Sequence, residues 1–138
     1  MKKKTITILL IYVLLFVTCT GAAFAGEVSP RYTAITGVDC SIAERDGTIA
    51  FDVYVYVASA TTLDSAYVDI VMRTTAGTEV AKFTGRKMTY SYGSFYYDNE
   101  VEVTSSGTYF FTYEVRCYKD GVLVDNPTGS SSRIIYTA

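Results

Sequence analysis

Apolar and polar residues alternate with a period of two along most of the chain beyond residue 30. In GTIAFDVYVYVASA, Ile49, Phe51, Val53, Val55 and Val57 share one parity, while Thr48, Asp52, Tyr54 and Tyr56 share the other. That is the pattern of a strand with one buried face. SAYVDIVMRTT repeats it, with Ala66, Val68, Ile70 and Met72 predicted inward and Tyr67, Asp69, Val71 and Arg73 outward. SGTYFFTYEVRCYKDG places Tyr109, Phe111, Tyr113, Val115 and Cys117 on one parity and the charges of Glu114 and Arg116 on the other. A first strand over Ala34 to Glu44 would form a hairpin with the second through Asp46-Gly47. A short strand is predicted over Glu79 to Phe83, its register open because Val80 and Phe83 fall on opposite parities. The last strand is expected in SSSRIIYT, after a loop held open by Asn126-Pro127 and Gly129. Turn signals recur at short spacing and no helical stripe is present, so about seven strands should form an all-β, two-sheet antiparallel sandwich.

The stretch TYSYGSFYYDNE, Thr89 to Glu100, is the densest aromatic segment. Tyr90 and Tyr92 share a parity with Met88, and Phe95 and Tyr97 share one with Val101 and Val103. The parity changes across Gly93-Ser94, where a turn or bulge is predicted. Four of its five aromatics are then expected to face the core, leaving Tyr96 outward.

The segment SSGTYFFTYEVRC resembles the start of the penultimate strand of immunoglobulin-like domains, with Gly107-Thr108-Tyr109 as a tyrosine corner. An immunoglobulin-like sandwich is the fold this resemblance implies. An antibody-type core is not expected: Cys117 lies eight residues after that tyrosine instead of two, Cys40 precedes the second strand, and tryptophan is absent. The chain as a whole is similar to small secreted single-domain proteins of Gram-positive bacteria. The similarity rests on SPRYT (Ser29 to Thr33), a cysteine soon afterwards, Thr/Ser/Val/Tyr-rich strands and the closing IIY (Ile134 to Tyr136). It implies an extracellular location and this fold, and no activity.

The first residues bear on location directly. Lys2 to Lys4, an apolar run and Ala23-Phe24-Ala25 form a secretory signal peptide, so residues 1–25 are expected to be removed, leaving one domain over 26–138. The apolar run is nearly long enough to span a bilayer, which leaves an uncleaved anchor as an alternative. Cys19 lacks the Leu and small residue that a lipobox places before its cysteine. After cleavage no stable membrane insertion is expected, and retention at the cell surface stays open. The remaining 113 residues carry nine basic and fourteen acidic side chains, a net charge of −5 with no basic cluster. Nucleic acid is therefore not an expected partner. Cys40 and Cys117 remain as an even pair in an oxidising compartment, and a disulfide between them is expected. Closing that 77-residue separation would stabilise the fold by about 4 kcal/mol.

Candidate chemistry is sparse. The chain has no histidine, which removes His-dependent triads, His-bound zinc and the commonest general base. Asp98, Glu100 and Glu102 lie on one strand about 7 Å apart, too spread for a calcium shell, and read as a solvated acidic face. No catalytic residue, metal or cofactor is expected. Ligand binding is expected, if anywhere, at Tyr54, Tyr56 and Tyr96 with Asp98 and Glu100, which share an exposed face if the second strand pairs with the one carrying Tyr96; Asp52 joins them there. A second patch of Tyr67, Phe110 and Tyr118, with Val71, Arg73 and Arg116, suits a protein partner. The expected function is a noncatalytic extracellular module binding a protein or glycan, or an envelope or matrix component. The alternatives are a small carboxylate-dependent hydrolase and an inhibitor or effector acting through the 122–132 loop.

Overall fold

The computed structural model describes residues 32–58 and 63–138; the expected signal peptide lies outside them. Ten strands run in chain order: β1 (Ile35–Arg45), β2 (Thr48–Val57), β3 (Ser65–Thr74), β4 (Glu79–Lys87), β5 (Thr89–Ser91), β6 (Ser94–Glu102), β7 (Gly107–Lys119), β8 (Val122–Asp125), β9 (Thr128–Ser130) and β10 (Ile134–Tyr136). They form two antiparallel sheets. One has the order β1-β2-β6-β5, the other β10-β7-β3-β4 with β8 and β9 also paired to β7.

The period-two pattern sets the two inner faces. Ile49, Phe51, Val53 and Val55 of β2 and Ala66, Val68, Ile70 and Met72 of β3 are all buried. Four rings meet between the sheets: Phe51 lies 5.4 Å from both Phe83 and Phe111 and 6.4 Å from Tyr97. The tilted ring planes are the arrangement that aromatic quadrupoles favour. β4 carries two bulges, and the one at Val80, where Met72 pairs with Ala81 but Arg73 pairs with Glu79, resolves the parity conflict between Val80 and Phe83. At the other, Val68 pairs with Arg86 but Ile70 pairs with Phe83, so β4 carries one extra residue there. Gly85 takes up the bulge at φ 60°, and its N–H donates to Asp69 Oδ1.

Tyr109 is buried and its hydroxyl donates to the Ser105 carbonyl at 2.6 Å, which is the expected tyrosine corner. The segment after β7 departs from expectation. Residues 122–132 do not form an open loop but follow β7 as an interrupted edge strand, with Val115 N donating to Pro127 O and Ser131 N to Phe111 O. Proline and glycine are tolerated because the Pro127 carbonyl alone is needed and Tyr113 lies across Gly129, filling the space a side chain would take.

This edge strand also holds the start of β1. The buried Asp125 carboxylate accepts from Ala34 N at 2.7 Å, Ile35 N at 3.2 Å, and the Thr33 N–H and hydroxyl at 3.0 and 3.1 Å. Four donors on one carboxylate offset the desolvation of its charge.

The expected Cys40 to Cys117 disulfide is not formed; both thiols are free. The register explains why. Cys117 pairs with Asp125, which grips β1 at Ala34 and Ile35, whereas Cys40 lies five residues further along β1, about 16 Å away. Cys40 instead meets the Ser130 carbonyl at 3.8 Å. Burial, with Asp125 nearby, pushes the Cys117 thiol up to about 12, so it stays protonated at neutral pH. Burial and the Asp39 and Asp52 carboxylates raise the Cys40 thiol as well.

Candidate functional site

β2 and β6 pair with Tyr54 opposite Tyr96, Asp52 opposite Asp98, Ala50 opposite Glu100 and Tyr56 opposite Ser94. This pairing brings every residue of the first candidate set onto one outer sheet face. Tyr54 and Tyr96 stack with centroids 5.8 Å apart and planes inclined by 23°. Tyr54 and Tyr56 remain 36% and 43% exposed, so their rings offer apolar area to solvent.

A shallow depression of about 360 Å3 opens beside the stack, lined by Ser41, Arg45, Asp52, Tyr54, Asp98 and Glu100 among others. Its carboxylates differ in their partners. Asp52 accepts from Ser41 N at 3.1 Å and Ser41 Oγ at 2.7 Å, which fixes its orientation. Glu100 meets the Arg45 guanidinium at 3.6 Å. Among the described residues, no basic side chain pairs with Asp52 or Asp98. Two like charges directly opposite one another in a sheet destabilise it, so this pair is not a stabilising feature of the fold. Among the described residues, no group of three or more metal-ligating side chains converges on one point.

The hairpin closing this face overturns part of the sequence reading. Neither Tyr90 nor Tyr92 is buried in the core: Tyr90 is 59% exposed and Tyr92 104%. The turn is Tyr92-Gly93, one residue earlier than predicted, with both residues at positive φ, 47° and 82°. Tyr90 does share the inner face with Phe95, their rings 5.0 Å apart, but β5 is a three-residue edge strand and leaves it open to water. Among the described residues two other tight hairpins have this form, Asp46-Gly47 and Asp120-Gly121. Both put aspartate at the first position, where Asn, Asp and Gly are favoured. Tyrosine in the left-handed region costs about 1 kcal/mol more. Tyr92 is therefore the exposed ring that parity misplaced, and its signal was Tyr-Gly where two other described turns use Asp-Gly.

The second candidate patch divides in two. Tyr67 and Tyr118 meet edge-on at 5.9 Å, with Leu123 paired to Tyr118 and 47% exposed. Phe110 lies eight residues along β7 from Tyr118, about 26 Å away, and is covered by Arg133 at 5.9 Å. Between them Arg116 forms a bidentate pair with Asp69 at 2.8 and 3.0 Å. The Arg116 hydrogen bond holds the Asp69 carboxyl below its usual range. A depressed carboxylate stabilises the fold above its unfolded pKa, and the contribution disappears as pH falls through the folded value. Asp69→Asn should thus destabilise by about 1 kcal/mol at neutral pH. Denaturant titrations from neutral to acid pH should show this gap closing below the ordinary aspartate range. A gap unchanged in strong acid would exclude the ion pair as its cause.

No protein-family model matches the chain, and no curated protein matches it.

Proposed function

We propose that the protein is a noncatalytic extracellular module of immunoglobulin-like fold that binds a glycan on the outer face of β2 and β6. The observation that carries the reading is the partly exposed Tyr54–Tyr96 stack beside carboxylates that Ser41 and Arg45 orient. Flat aromatic faces take the apolar faces of sugar rings, and carboxylate oxygens accept from sugar hydroxyls. The fold assignment is supported by the sheet orders, which correspond to strands A-B-E-D for β1-β2-β6-β5 and G-F-C-C′ for β10-β7-β3-β4, with the tyrosine corner at the start of F. The extracellular location is supported by the lysine-led apolar leader in the sequence. The carboxylates stand on an open sheet face, which favours binding over hydrolysis, because a general acid needs a desolvated site to hold its proton. Pairing of residues 122–132 along β7 removes the projecting loop on which an effector reading would rest.

Tyr54→Ala with Tyr96→Ala removes both stacking rings, one exposed and one half-buried, from the outer face. At about 1 kcal/mol per ring, affinity for the glycans bound by the wild type should fall roughly thirtyfold, with folding retained. Glycan arrays followed by calorimetry on the best ligand would measure it. Undiminished binding by a folded double variant would remove this face from consideration.

A further inference from the structure

Resting on that glycan reading, we propose that the occupant is an extended chain of amino sugars with free amino groups. Its rings lie along Tyr96, Tyr54 and Tyr56 and out to Tyr92, and its ammonium groups sit at Asp52 and Asp98. The length comes from register. From the level of Asp98, the face runs through Tyr96 opposite Tyr54 and Ser94 opposite Tyr56 to the Tyr92-Gly93 turn, about 20 Å in all. The turn continues this row, since Val57 N, next to Tyr56, donates to Gly93 O.

Tyr92 marks the far end. It is fully exposed and in a left-handed conformation where two other described turns of this type use aspartate. Among the described residues no hydrogen bond or ring contact compensates for that choice, and local rules broken without compensation are found at functional positions. The charge of the occupant follows from the other end of the row. Asp52 and Asp98 face each other with no basic side chain among the described residues paired to either, in a domain of net charge −5 over residues 26–138. A polyanionic glycan would be repelled, whereas an ammonium group relieves the opposed charges and is also attracted to tyrosine faces.

The test is calorimetry at mildly acidic pH, where sugar amines are protonated, comparing the hexasaccharides of glucosamine and N-acetylglucosamine. The glucosamine chain should bind about tenfold more tightly, and added salt should narrow the gap. Asp52→Asn with Asp98→Asn should abolish the preference without lowering the Tm. Tyr92→Asn should raise the Tm by about 5 °C, because asparagine suits the turn, yet weaken hexasaccharide binding several-fold and leave a disaccharide unaffected. Equal binding of both hexasaccharides, untouched by the aspartate variants, would overturn the proposal and leave the glycan reading standing. Equal binding of polylysine would also overturn it, by showing that charge alone suffices. Should no oligosaccharide bind at all, the glycan reading itself fails.

Discussion

Replacing Asp125 with alanine should destabilise the protein by about 3 kcal/mol, lowering the Tm by roughly 15 °C. The variant removes one carboxylate and strands several donors. The N–H groups of Ala34 and Ile35 belong to buried residues and make no other side-chain hydrogen bond among the described residues. An unsatisfied buried amide costs about 1 to 3 kcal/mol, and two such groups dominate the effect. Asp125→Asn keeps a carbonyl acceptor but turns an amide NH2 toward the same donors, so its loss should be about half as large. Local exchange distinguishes the clamp from general loosening. In Asp125→Ala the amides of Ala34 and Ile35 should exchange rapidly, while those of β3 stay protected to within the global change. Uniform acceleration across both sheets, or a loss below about 1 kcal/mol, would refute the clamp.

The strands legible in the sequence were those with one wet and one dry face. β2 and β3 alternate apolar with polar residues because each is central in its sheet, and the buried parity then fixes the register. That register is also what made the candidate face readable: pairing β2 with β6 suffices to bring Tyr54 to Tyr96 and Asp52 to Asp98. Hydrophobicity failed for Tyr90 and Tyr92 because tyrosine has both an apolar ring and a polar end. Parity says which side of a strand a ring takes, but not whether a second sheet covers that strand. Segment 122–132 was misread for a different reason. Asn126, Pro127 and Gly129 are turn formers, yet a strand at a sheet edge needs few of its own donors and can accommodate them. The cysteines illustrate a third limit: an even count in an oxidising compartment is arithmetic, and levels along paired strands decide whether two sulfurs meet. Asp125 had no signal of its own, since a buried aspartate and a turn aspartate look alike in VLVDNP.

Phe51→Ala is expected to be the most damaging single change, at about 4 kcal/mol. Phe51 is 3% exposed and touches rings from β4 and β7 of the opposite sheet as well as Tyr97 beside it, so its removal opens a cavity where the sheets are joined. Phe51→Leu retains much of the volume and should lose about 1 to 2 kcal/mol, which separates the value of filled space from that of ring geometry. A double-mutant cycle with Phe111→Ala should show coupling of about 1 kcal/mol or more, because the two rings border the same space. The consequence extends to the outer face. Phe51 occupies the inward parity of the same strand that presents Asp52 and Tyr54 outward, and its packing holds β2 at the level where Tyr54 meets Tyr96. At a temperature where Phe51→Leu is fully folded, glycan affinity should therefore stay within about threefold of wild type. The outer tyrosine variants should do the reverse, losing affinity with little change in Tm. Parallel losses of stability and binding in both sets would mean that core and binding face are not separable in this sandwich.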